Sequence, residues 1–304
     1  QHGADLEKRL DQCWLGKLRC PQRFPVGRCQ LPKTCLDHTR FFMLKVISAN
    51  LNGIRSASTK GFFDWLPQQN ADLVGVQEVK AQHDAVVGAF DQIDALRGWF
   101  HFAQKKGYSG VGLYSRHEPS DVKAGIGMPE FDDEGRWIEL RFDKPGRAFS
   151  VISCYFPSGS SGEERQAVKY RFLDAMATHL SQLKAEREFI LVGDVNIAHK
   201  ESDLKNWRSN QKNSGFLPEE RAWMTKLLEG GVSDVYRALH PTTTDECYTW
   251  WSNRGQAYAK NVGWRIDYHL ATARIAGLAR TAAIYKEQKF SDHAPLTVEY
   301  DFKL

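Results

Sequence analysis

The chain has 304 residues, 42% of them hydrophobic, which suffices for one large core or two small ones. No apolar run approaches the roughly 20 residues of a membrane span, and the first residues lack the apolar segment and small-residue cleavage site of a signal peptide. The net charge of +4 sits entirely in residues 1–42, where eight Lys/Arg oppose four Asp/Glu. The rest is balanced, so overall charge names no partner, and a nucleic-acid-binding core would need a local basic face.

Residues 1–42 differ from the remainder of the chain. They contain Pro21, Pro25 and Pro32, no clear period, and four of the six cysteines. Cys13, Cys20, Cys29 and Cys35 with His38 offer zinc ligands. Their spacings of 7, 9 and 6 residues lack the close pair of a zinc knuckle or ribbon. A disordered leader, or sequence upstream of a true start at Met43, accounts for the segment better. Cys154 and Cys247 are too few and too scattered for a disulfide framework, so residues 43–304 read as a reduced, cytoplasmic domain.

From Met43 onward the pattern is regular. Leu44–Ser48 reads as a strand, and Phe62, Phe63, Trp65 and Leu66 suit the apolar face of a short helix. The segments 72–77, 110–114, 136–142 and 149–155 read as strands. Residues 163–184 form a long amphipathic helix, with Val168, Phe172, Leu173, Met176, Leu180 and Leu183 near helical spacing. A buried strand follows at 189–192, then a helix at 218–228 with proline in its first turn. Residues 248–251, 266–271 and 296–302 complete the strands. Helices and strands mix throughout without a repeat or linker, which predicts one α/β domain.

Polar residues recur where these strands end. Asn50 and Asn52 follow the first strand, Glu78 ends the second, and Tyr155 ends the strand 149–155. Asp194 and Asn196 follow 189–192, Asp267 lies in Trp264-Arg265-Ile266-Asp267, and Asp292 and His293 precede the last strand. A lone Asp after Gly is ordinarily a turn residue, and a lone His an ordinary surface or core residue. Six placements from six segments on a strand scaffold point instead to one site. Glu78, Asp292 and the Asn50 amide are hard oxygen ligands of the kind magnesium prefers. Phosphodiester hydrolysis needs a metal, a base for water and donors to the phosphate oxygens. Asp194, His293, Asn196 and Tyr155 suit those tasks, and Asp267 suits the carboxylate that orients an imidazole. The absence of a Gly-rich phosphate loop speaks against a kinase or ATPase.

The motifs resemble one family. SANLNGIR (48–55), DLVGVQEVKAQ (72–82), GYSGVGLYS (107–115), YFPSGSSGEER (155–165), LVGDVNIAH (191–199), NQKNSGFLPEER (210–221), YTWWSNRGQAYAKNVGWRIDYHL (248–270) and KFSDHAPL (289–296) run in order through nearly all of 43–304. They resemble the exonuclease III family of class II abasic-site endonucleases, bacterial members above all, within the superfamily that includes deoxyribonuclease I. The resemblance implies a four-layer α/β sandwich, two packed β-sheets flanked by helices. It implies a monomeric, Mg2+-dependent nuclease, with Mn2+ as a substitute. Such an enzyme cleaves double-stranded DNA 5′ to abasic sites and processes blocked 3′ ends.

It implies roles residue by residue. Glu78 is the principal metal ligand, with Asn50, Asn52 and Asp292 near the metal; Asp194, Asn196 and His293 border it. Asp194 positions or deprotonates water, Asn196 and Tyr155 touch the phosphate, and His293 with Asp267 serves the transition state. Lys80, Tyr108, Arg136, Asn210 and Asn213 contact DNA. Trp250, Trp264 and Ile266 wall a pocket for a flipped-out abasic sugar. Strand alternation buries one of Trp250 and Trp251, which leaves Trp264 the better substrate contact. Two positions depart from the pattern: Asn52 stands where many relatives carry Asp, and Ser161 where human-like members carry Arg. Two other functions compete. A superfamily phosphodiesterase with a lipid or inositol-phosphate substrate would lack the KNVGWRID and NQKNSGF segments. A non-catalytic nucleic-acid-binding regulator would have lost polar groups that are all present here.

Overall fold

Val46 and Ser48 of the first strand face one way, Ile47 and Ala49 the other, and both faces are buried. A strand with two buried faces lies inside a layered structure. The computed structural model describes residues 43–304; the zinc and leader readings of residues 1–42 lie outside them. In chain order the strands are β1 (Met43–Asn50), β2 (Leu73–Gln77), β3 (Gln92–Ile93), β4 (Leu96–His101) and β5 (Val111–Ser115). Next come β6 (Asp121–Ala124), β7 (Trp137–Arg141), β8 (Phe149–Tyr155), β9 (Glu188–Asp194) and β10 (Val232–Asp234). The last are β11 (Trp250–Trp251), β12 (Gly263–Trp264), β13 (Asp267–Thr272), β14 (Ala279–Ile284) and β15 (Leu296–Asp301).

Two mixed sheets result. One has the order β14-β15-β1-β2-β5-β4-β3, the other β10-β13-β9-β8-β7-β6. Between them, Leu44, Val46, Leu73, Leu113, Ile138, Val151, Ile190, Val192 and Val298 form the central core. The outer face of the second sheet, through Ile152, Leu191 and Leu270, packs on Phe172, Met176, Leu180 and Met224 of the helices Glu163–Glu186 and Pro218–Glu229. The outer face of the first, through Ile47, Val74 and Val76, packs on Ile54, Phe62, Trp65 and Leu66. Helix, sheet, sheet and helix make the four-layer α/β sandwich read from the sequence.

The long helix forms where its apolar residues recur three and four apart, and Glu163 and Glu164 place negative charge at its positive end. Each fully buried large side chain on it contributes about 1.5–3 kcal/mol relative to exposure. One position differs from the expected stripe. Val168 is only partly buried, whereas Lys169 is fully buried, its Nζ 2.7 Å from Glu220 Oε1 and 2.8 Å from the Asn196 carbonyl. Cys154 and Cys247 are both free thiols in the interior. Among the described residues, no helix is long and apolar enough to cross a membrane.

The sheets pack tightly at Gly75. A Cβ there would lie 2.3 Å from Val192 Cγ2, so only glycine lets β2 cross β9 at this spacing. One step toward the strand ends the inter-sheet layer turns polar: Gln77 Nε2 donates to Ser153 Oγ at 3.0 Å. At the rim beyond it, the same inward-facing rows end in Asn50, Tyr155 and Asp194.

Candidate active site

Strand register brings the rim residues together. Tyr155 and Asp194 are paired across the parallel strands β8 and β9, and Asp194 and Asp267 across the antiparallel strands β9 and β13. β1 delivers Asn50 from the facing sheet. Asn50 Nδ2 donates to Glu78 Oε1 at 2.9 Å and to Asp194 Oδ2 at 3.0 Å, which ties the two carboxylates. The Asn50 side-chain oxygen accepts the Asn52 N–H and so faces away from those acids. The Asn196 N–H donates to Asp194 Oδ1, and Asn196 Nδ2 donates to the Phe156 carbonyl at 2.9 Å.

His293 completes the row. Its Nδ1 lies 2.9 Å from Asp267 Oδ2 and its Nε2 3.8 Å from Asp194 Oδ2. Burial opposes charge on the imidazole, but the attraction and hydrogen bond of Asp267, with Asp194 and Asp292 beyond, outweigh it and raise its pKa to about 10. Burial dominates at Asp194, and neighbouring Asp267 and Glu78 add to it against His293; its pKa rises to about 8. Burial likewise holds the Tyr155 phenol protonated, far above its ordinary range.

The backbone is strained here. Asn52, Glu78, Lys80 and Asn196 all have φ between 45° and 55°. That region costs a non-glycine residue on the order of 1 kcal/mol, and such strain collects at functional sites. The strain turns Glu78 into the opening, where Lys80 Nζ stands 2.6 Å from its Oε2. An ammonium group thus already neutralises the carboxylate. Oxygens of Glu78 and Asp194 and a nitrogen of His293 all lie within 4.8 Å of one another, a group able to hold a metal ion. Asp292 is not in that group. Its carboxylate is taken up by Asn52 Nδ2 at 2.8 Å and Trp250 Nε1 at 3.1 Å.

These residues form one end of a pocket of about 850 Å3. Trp250, Trp264 and Ile266 wall it, with the two indoles edge to face at a centroid distance of 6.2 Å. Trp251 is the buried member of its pair, as alternation requires. Opposite stand Asn213, Ser214 and Gly215. Gly215 has φ +93°, and a Cβ there would press on Trp264 at 3.2 Å, so glycine lets the loop close on the wall. Asn213 Nδ2 bonds Asn210 Oδ1 at 2.7 Å, which keeps both amides at the mouth.

A model described as the Endonuclease/Exonuclease/phosphatase family matches residues 47–293. The chain belongs to this family. It is 36% identical over 255 residues to an exodeoxyribonuclease of Bacillus subtilis (strain 168), covering 83% of this chain and 98% of that protein. It is 36% identical over 258 residues to the DNA repair nuclease APEX1 of Danio rerio, covering 84% and 81%. Among solved structures, an AP endonuclease from Archaeoglobus fulgidus is similar with a TM-score of 0.76 and 27% identity, over 85% of this chain and all of that one.

Within the family fold, some expected DNA contacts sit deeper than the sequence suggested. Arg136 is 2% exposed. Its guanidinium donates to the Tyr155 carbonyl, Glu134 and the Tyr108 hydroxyl, and stacks 4.9 Å from the Tyr155 ring. A side chain satisfied on all sides by protein holds Tyr155 in place and does not reach outward. Tyr108 is half-buried and also receives Arg165. Conversely, sequence reasoning assigned no role to the exposed Lys212, which lines the pocket and has no ion-pair partner among the described residues. It also passed over Glu220, which accepts the Gly215 and Leu217 N–H groups and so fixes the pocket loop. The proline-first helix start, with an acid three residues in, was its only local signal.

Proposed function

We propose that residues 43–304 form a monomeric, cytoplasmic DNA-repair nuclease. It cleaves the phosphodiester 5′ to abasic sites in duplex DNA and trims or clears 3′ ends. The observation that carries this reading is the row Asp194–His293–Asp267 at the foot of a tryptophan-walled pocket. A phosphate held against His293 would place its sugar between Trp250, Trp264 and Ile266, an apolar wall that suits a base-free deoxyribose turned out of the stack.

Asp194, held beside His293 Nε2 and oriented by the Asn196 N–H, is placed to take a proton from the attacking water. The hydroxide attacks phosphorus and the P–O3′ bond breaks; the departing O3′ takes a proton from solvent water, leaving a 3′-hydroxyl and a 5′-phosphate. His293, held as imidazolium by Asp267, sets positive charge against the oxygen that gains negative charge. Tyr155, kept protonated, and the Asn196 amide supply neutral donors to the phosphate. The oxygen-rich donor set and the cation already beside Glu78 fit a hard divalent ion, Mg2+ with Mn2+ as substitute, held by Glu78 and Asp194. Such an ion supplies charge neutralisation for the phosphate and the departing 3′-oxygen.

The test is a duplex with one abasic-site analogue, beside a recessed-end duplex and a lipid head-group phosphodiester, with Mg2+ and with EDTA. Mg2+-dependent incision 5′ to the lesion is expected. Cleavage of the lipid substrate alone, or DNA binding without any cleavage, would overturn the reading.

A further inference from the structure

Behind the pocket wall, Lys169 and Glu220 form an ion pair with neither side chain exposed. Glu220 Oε2 accepts the Gly215 and Leu217 N–H groups at 2.7 and 3.0 Å. Its Oε1 accepts Gln166 Nε2 at 3.0 Å and Ser214 Oγ at 3.3 Å, beside Lys169 Nζ at 2.7 Å. Lys169 Nζ also donates to the Asn196 carbonyl at 2.8 Å. Asn196 lines the pocket from a left-handed backbone, φ 55°. The same dihedrals set the direction of its carbonyl and of its side chain, so a hold on one is a hold on the other. The Ala198 N–H, donating to the Gly215 carbonyl at 2.8 Å, joins this turn to the loop. Taking two charges out of water is costly, and an apolar pair of like volume is often as stable, so stability alone does not account for this pair. Its position does.

We propose that Lys169 and Glu220 are positioning residues: their ion pair sets the Asn196 amide against the phosphate and holds the loop 213–217 against the aromatic wall, while neither residue touches substrate. The inference rests on the nuclease reading for its substrate. The two residues act on different parts of the pocket. Lys169 holds Asn196, whose amide meets the phosphate, so losing that hold falls on kcat. Glu220 holds the loop that carries Asn213 at the mouth and Gly215 against Trp264, so losing that hold falls on KM. Hydrogen bonds to charged groups are the stronger ones, which suits a pair that must restrain a strained turn and a glycine-bearing loop together.

Two charge-free variants separate these actions, and neither leaves one charge buried alone. Lys169→Met with Glu220→Gln cuts the link to Asn196. The Gln oxygen still accepts the loop N–H groups, and the Gln166 amide can turn to meet the new NH2. Lys169→Met with Glu220→Met cuts both links. The first variant should melt within about 5 °C of wild type. It should lower kcat for abasic duplex about tenfold, the scale of one hydrogen bond to a charged group, with KM within about threefold. The second should also raise KM about tenfold. Added to Asn196→Ala, the first should cost no more than about a further twofold, because its effect runs through Asn196. Amide hydrogen exchange without DNA should quicken at 195–198 in the first variant and at 213–217 only in the second. A folded first variant with normal kcat, a loss that multiplies with Asn196→Ala, or unchanged exchange at 195–198 would overturn the proposal. A wild-type protein that turns over no abasic DNA would count against the nuclease reading alone, and the exchange pattern would still show whether the pair holds the two segments.

Discussion

Asp267 Oδ2 lies 2.9 Å from His293 Nδ1, with both side chains almost wholly shielded from water. The contact orients the ring so that Nε2 faces Asp194, and it holds the imidazole charged despite burial. Asp267 Oδ1 is buried with no hydrogen-bond partner. Leaving a carboxylate oxygen bare costs on the order of 1–3 kcal/mol, which stability alone does not explain.

If the two residues work as a unit, their losses cannot add. Asp267→Asn removes the charge that sustains the imidazolium, and His293→Ala removes the ring. Each should lower single-turnover cleavage of abasic duplex by about 10²–10⁴. The double variant should be no slower than His293→Ala. Losses that multiply would mean that Asp267 serves some other group.

Asp194→Asn tests the base. The change is nearly isosteric and puts a neutral group where burial already opposes charge, so stability should hold or rise slightly. The amide oxygen of the variant side chain can still accept from Asn50 or from the Asn196 N–H. Cleavage should fall by at least about 10², while the dissociation constant for abasic duplex, measured by fluorescence anisotropy in EDTA, should change little. Near-normal turnover would exclude Asp194 as the base.

How much of the fold and site is legible in the sequence depends on where the signal lies. Strands buried on both faces are short apolar runs, so β2, β8 and β9 stand out, and so do the polar residues that end them. The strands β3, β4, β6, β10, β12 and β14 escape such a reading. β6 is a mostly exposed segment, Asp-Val-Lys-Ala, and β14 is made largely of small residues, so neither has a periodic apolar face. Tertiary partnering of charges is equally invisible. Lys169 and Arg136 look like solvated side chains until Glu220 and Tyr155 are brought to them across the chain.

The sheet-to-sheet spacing gives a stability prediction remote from the chemistry. Gly75→Ala puts a methyl group 2.3 Å from Val192 Cγ2, and both strands are central in their sheets. Overpacking of this kind costs about 1–3 kcal/mol. Val192→Ala alone should also destabilise, by opening a cavity. The double variant, in which one methyl replaces another, should be more stable than the sum of the two predicts. Urea unfolding of the four proteins measures the coupling, and simple additivity would mean that the sheets relax apart elsewhere.

His269 carries the pH dependence that is easiest to isolate. It lies on β13, fully buried in the central layer, with Nδ1 3.1 Å from the Tyr300 hydroxyl and Nε2 3.3 Å from the Leu296 carbonyl. Burial lowers its pKa from 6.5 to about 3, against a weak opposing pull from the Leu296 carbonyl. Below pH 6.5 the unfolded chain therefore protonates this histidine and the folded protein does not. The unfolded state binds the extra proton, so the contribution of neutral His269 is complete above pH 6.5 and is lost as pH falls toward 3. The rate of loss is about 1.4 kcal/mol per pH unit. Other groups titrate in the same window; Asp194, raised to about 8, pulls in the opposite direction. Comparison with His269→Gln cancels those shared contributions. At pH 7 the wild type should be the more stable, because Gln cannot match both the shape and the bonds of the ring. On acidification the gap should close and then reverse sign near pH 5–6, because only the wild type must keep a histidine neutral. Unfolding free energies at pH 7, 6, 5 and 4 decide it. A gap that stays constant across that range would mean that His269 takes up its proton inside the fold as readily as outside, by reaching water or a carboxylate through motion of β13 or β15.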